Sequence, residues 1–68
     1  MKNSIKELRR TKKISQDVLA QRCNVTRQTI NAIENNKYDP SLNLAFNIAK
    51  VLGKKVDDIF YYDKGDRQ

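Results

Sequence analysis

The chain has no histidine and no tryptophan, one cysteine, one proline and two glycines. A lone thiol cannot close an intramolecular disulfide. Without histidine it cannot complete a four-ligand zinc site either. The missing imidazole removes Ser-His and Cys-His pairings, and Gly53 and Gly65 stand alone rather than in a phosphate-cradling loop. No enzyme, metal or cofactor is expected. No apolar run approaches the roughly 18 residues of a membrane span. The first residues lack the apolar centre of a signal peptide, so the expected location is a bacterial or archaeal cytoplasm.

What the chain has is positive charge, unevenly placed. The net charge is +6 over 68 residues. Residues 1–37 hold nine Lys and Arg against three acids, Glu7, Asp17 and Glu34, whereas residues 38–68 hold five of each sign. A polyanion would meet the first half first; the plainer alternative is a basic, soluble surface. A chain this short buries only about 60% of its unfolded surface, so one domain with a small core is expected over 1–68. A partner subunit is the expected extra support.

The pattern predicts five helices and no core strand. Ser4 to Lys12 opens on Ser4-Ile5-Lys6-Glu7, which fits a capping box, with Ile5 and Leu8 inward. Gln16 to Cys23 and Arg27 to Asn35 follow, with Ser15 and Thr26 as N-caps. Leu19, Ala20, Ile30 and Ile33 form their inner faces, and Asn24 and Asn36 suit left-handed helix ends. Pro40 forces a turn, and Ser41 caps a helix over Leu42 to Leu52 whose apolar residues are Leu42, Leu44, Ala45, Ile48, Ala49 and Leu52. Gly53 stops it, and a short helix runs from Val56 to Phe60. Cys23 is expected as a small buried apolar residue, the alternative being a redox-sensing thiol. Phe60, Tyr61 and Tyr62 are too many aromatics for one helix end. They could meet across a two-fold interface, form a short strand against the N-terminal residues, or stay partly exposed. Residues 64–68 are expected to be mobile.

The run LAQRCNVTRQTINAIENNK, with ENNKYDPSL after it, resembles the helix-turn-helix of the phage lambda repressor and Cro-like (XRE) family. The likeness extends from Ile5 to Phe60. Asn24 stands where that family usually has Gly. Lys55 stands where it often has a capping Ser or Thr, leaving the start of the last helix weakly held. The resemblance implies an all-α, five-helix DNA-binding domain with its helix-turn-helix over about 16–35 and room for a short extended C-terminal segment. It also implies that Arg9 of the first helix pairs with Glu34 near the end of the third.

A helix in the major groove offers its first two turns to base edges: here Thr26, Arg27, Gln28, Asn31 and Ala32, then Asn35. Arg27 suits guanine O6 and N7, and Gln28 suits adenine N6 and N7. Gln16 begins a helix where free amides favour phosphate. Thr29, Asn35 and Lys37 resemble the family's backbone contacts, and Lys12 and Lys13 could add weaker attraction. The reading is a sequence-specific double-stranded DNA-binding regulator, a repressor in the first instance. It would act as a homodimer through helix 56–60 and Phe60, Tyr61 and Tyr62. The rival is an antitoxin-type protein-interaction module with secondary DNA binding.

Overall fold

A computed structural model describes residues 1–62, so the tail at 64–68 lies outside the described residues. In order it holds β1 (Lys2–Asn3), α1 (Ile5–Thr11), α2 (Gln16–Arg22), α3 (Arg27–Glu34), α4 (Leu42–Leu52), α5 (Val56–Ile59) and β2 (Phe60–Tyr61). Five helices carry the fold, and the strands form one small antiparallel sheet pairing Lys2 with Tyr61 and Asn3 with Phe60.

Local sequence explains most helix starts. Ser15, Thr26 and Ser41 each sit in extended backbone, with a side-chain oxygen accepting from the third amide onward: Val18, Thr29 and Leu44. The helix ends repeat one device. In α1 to α4 the residue after the last turn is left-handed: Lys13 at φ 59°, Asn24 at 60°, Asn36 at 62° and Gly53 at 69°. The following amide then reaches back five residues, Ile14 to Arg9, Val25 to Ala20, Lys37 to Ala32 and Lys54 to Ala49, at 2.9–3.1 Å. These are Schellman closures, which satisfy the otherwise orphaned carbonyls.

Two starts fall where expected but are capped differently. The Ser4 hydroxyl caps nothing, and no capping box forms with Glu7. The Ser4 amide, which Glu7 was to meet, instead donates to the Ile59 carbonyl at 2.9 Å, so pairing at the sheet edge has taken the group the box needs. Asn3 substitutes, its Oδ1 accepting from the Ile5 amide at 3.2 Å. At α5, Lys55 has no side-chain acceptor to offer, but the Asp58 carboxylate accepts from the Lys55 amide at 3.3 Å. That single reciprocal bond fixes the start the sequence left open.

The core is Ile5, Leu19, Ala20, Cys23, Ile30, Ile33, Leu44, Ala45, Ile48, Ala49, Leu52, Ile59 and Phe60, with Leu8, Ile14, Val25, Val51 and Val56 packed around it. Ala20, the small residue of α2, is buried within this core. Leu42, grouped with the inward residues of α4 by type, is 70% exposed, and Phe46 one turn on is 57% exposed. At 100° per residue both lie on the flank of the buried stripe, not on it.

The aromatic run divides as a strand does. Phe60 leaves α5, enters β2 and is buried, while Tyr61 on the opposite face is exposed, as is Tyr62. The helix expected to include Phe60 therefore stops at Ile59. The short strand against the N-terminal residues is formed by Phe60 and Tyr61, with Tyr61 and Tyr62 left exposed.

Candidate nucleic-acid interface

α3 has two unlike faces. Ile30 and Ile33 point into the core, and Arg27, Gln28, Asn31 and Asn35 are exposed on the outside. Thr26 opens the helix: its hydroxyl accepts from the Thr29 amide at 3.2 Å and lies 3.1 Å from the Thr29 hydroxyl. Thr26 and Thr29 are thus partly committed to shaping the helix start. Arg27 and Gln28 follow at once and line an open cleft of about 610 Å³ with Asp17, Thr26 and Asn31. Asn35 donates from Nδ2 to the Asn31 carbonyl at 2.9 Å and to its Oδ1 at 3.3 Å, so these two amides form one polar unit along the outer face. Ala32 is half-buried, and Lys37 is exposed just beyond the helix.

The helix is held from beneath by charge. Arg9 Nε donates to Glu34 Oε2 at 2.9 Å and Nη2 to Oε1 at 3.4 Å, a fork-to-fork pair with side chains 13% and 4% exposed. Arg9 Nη1 also donates to the Ile14 carbonyl at 3.1 Å. This is the pair the family resemblance implied. Gln16 joins it, its Nε2 donating to Glu34 Oε1 at 3.1 Å. The first residue of α2 is therefore half-buried in a structural network, with its second amide hydrogen still able to donate.

Asn3 is a residue the sequence reading passed over. Its Nδ2 donates to the Ile33 carbonyl at 2.8 Å and to Asn36 Oδ1 at 3.3 Å, tying β1 to the end of α3. No sequence signal marks a contact between residues so far apart. Asp17 was also passed over as a member of the site, although its place beside Gln16 at the mouth of α2 was a hint. On the other side of α3 a second cleft of about 480 Å³ opens, lined by Thr29, Tyr38, Ser41, Asn43 and Asn47 above Cys23 and the turn. Lys12 belongs elsewhere: its ammonium lies near Gly53, at the carbonyl end of α4, where a helix favours a cation.

Cys23 is 4% exposed, and burial raises its thiol above the ordinary range. That favours the inert, apolar role, since thiolate is the reactive form. Among the described residues no cluster of three His, Cys, Asp or Glu could hold a metal ion, and no helix is long and apolar enough to cross a membrane.

Comparison with known proteins agrees with this geometry. The helix-turn-helix family model matches residues 5–59. An uncharacterized HTH-type transcriptional regulator of Methanocaldococcus jannaschii is 54% identical over 63 residues, covering 93% of this chain and 96% of that protein. The uncharacterized HTH-type transcriptional regulator YgzD of Bacillus subtilis is 45% identical over 64 residues, covering 94% of this chain and 97% of its own. One from Archaeoglobus fulgidus is 45% identical over 64 residues, covering 94% and 90%. With α2 packed on α3, and α3 presenting a polar outer face over a buried Arg9–Glu34 support, the chain belongs to the helix-turn-helix family of DNA-binding transcriptional regulators.

Proposed function

We propose that this protein is a sequence-specific repressor that reads the major groove with α3 as a cytoplasmic homodimer, one helix-turn-helix domain per chain, with no catalytic role. The observation that carries this is the exposure of Arg27 and Gln28 in the first turn of a helix whose opposite face is buried. Arg27 takes guanine and Gln28 adenine, with Asn31 reaching a neighbouring base. Thr26 and Thr29 shape the helix start and face the backbone. Gln16, Asn35 and Lys37 hold phosphates at either end of the reading helix. Repression follows from occupying a promoter.

The fold supports a dimer surface somewhat different from the one read in the sequence. Phe60 is largely interior to its own protomer, so of the three aromatics Tyr61 and Tyr62 offer most of the surface to a partner. Exposed Leu42 shares an apolar groove of about 270 Å³ with Pro40, Ala45, Val56 and the edge of Phe60. This extends the α5 surface onto the flank of α4. Two such domains would place their α3 helices about one turn of DNA, roughly 34 Å, apart.

The test is selection of bound sites from random duplexes, followed by footprinting of two variants. Arg27→Ala loses about 1–3 kcal/mol of discrimination at one base pair. Lys37→Ala weakens binding evenly over all sequences and lowers the salt slope by roughly 0.9. Equal, sequence-independent losses from both would remove Arg27 from base reading.

A further inference from the structure

The cleft at the mouth of α3 contains one carboxylate. Asp17, the second residue of α2, lines it with Thr26, Arg27, Gln28 and Asn31. Its presence needs an explanation beyond helix capping. A first-turn acid favours the positive end of α2 wherever it points. One that faces a duplex carrying a negative charge about every 1.7 Å is unfavourable unless a cation stands between. Arg27 is the cation of this cleft, and among the described residues it has no ion pair or hydrogen bond of its own.

We propose that Asp17 is a positioning residue for Arg27, its carboxylate engaging one edge of the guanidinium while the other edge reads guanine. This rests on the reading of Arg27 as the guanine contact. The donor arithmetic allows it. A guanidinium has five N–H groups in a rigid fork, and guanine O6 and N7 use two. Three donors remain, and the one carboxylate lining the same cleft is Asp17. Gln16 is not a rival for this role: it does not line this cleft, and its side chain is held to Glu34 through Nε2. In the free protein both Asp17 and Arg27 are exposed and water weakens their attraction. Seating the duplex displaces that water and strengthens it. Asp17 then does two things: it fixes the fork over a base, and it makes escape of Arg27 to a phosphate unfavourable. Specificity is gained at the expense of general affinity.

A double-mutant cycle tests this. The full chain, Asp17→Asn, Arg27→Ala and the double variant are titrated with the selected duplex, with single-base variants of it and with random-sequence duplex at one salt concentration. Thermal unfolding of each confirms that it is folded. Asp17→Asn is expected to bind random duplex more tightly and to lose on the order of ten-fold discrimination at the base pair that Arg27 reads. Discrimination at the other positions should stay, and in the Arg27→Ala background Asp17→Asn should alter none. A uniform rise in affinity with discrimination intact overturns the proposal and leaves Asp17 as a mere repulsive charge. An equal loss of discrimination in the Arg27→Ala background overturns it too. If Arg27→Ala itself loses no discrimination at any position, the guanine reading fails, and that result is distinct from the other two.

Discussion

Lys13 occupies a backbone conformation that most residues avoid. At φ 59° its Cβ crowds the backbone, yet the position must be left-handed for Ile14 to close α1 onto Arg9. Asn24 and Asn36 relieve the same demand with a side chain that tolerates it, and Gly53 has no Cβ at all. Lys13→Gly should therefore stabilise the fold by about 1 kcal/mol, less the entropy that glycine adds to the unfolded chain. Urea denaturation, read as a raised midpoint at constant slope, checks it. The Arg9–Glu34 pair makes the opposite case. Arg9→Met leaves a nearly buried carboxylate with Gln16 as its remaining side-chain partner and should cost about 3–5 kcal/mol, a large share of what a small domain has. Replacing Arg9 and Glu34 together by apolar residues should restore most of the loss in the same denaturation experiment, because no lone charge then remains.

At the scale of elements, capping separates what a motif promises from what a fold uses. Ser41 and Ser4 look alike in sequence, each opening an amphipathic run. Ser41→Ala should destabilise by about 0.5–2 kcal/mol because the Leu44 amide loses its acceptor. Ser4→Ala should change the melting temperature hardly at all, since the Ser4 hydroxyl caps nothing. Equal shifts in the two variants would contradict this assignment. The starts of α2, α3 and α4 were legible because their capping residues act within one turn. The capping of α1 was not, because Ile59 at the end of α5, some 55 residues along the chain from Ser4, supplies the acceptor that displaces the local motif. The exposure of Leu42 was hidden for a related reason. Apolar type marks a residue that burial would favour, but only the angle of α4 against α5 decides which residues the core reaches.

At the scale of the whole molecule, charge and apolar surface lie in different halves of the chain. The first 37 residues carry all of the excess positive charge and the reading helix. The second half carries the exposed Leu42, Phe46, Tyr61 and Tyr62. That division suits a protein that meets a polyanion with one part and its own copy with another. Leu42→Glu tests the second role with little risk to folding, since an acid in the first turn of α4 favours the helix. Sedimentation should show the parent chain as a dimer at micromolar concentration and the variant as a monomer of unchanged helicity. A parent chain that sediments as a monomer with and without DNA would remove the dimer.

Sequence alone determined the number and type of the helices, three of their N-caps, the left-handed Asn24 and Asn36, and the outward place of Arg27 and Gln28. Each follows from interactions within a turn or two, where residue type and spacing suffice. Tertiary structure decided the rest: the strand that takes Phe60 inward, the Asn3 tie to α3, the capture of Gln16 by Glu34, and the placing of Asp17 and Arg27 on the lining of one cleft. Those depend on which parts of the chain close upon each other, and no short-range pattern encodes the angle at which two helices cross.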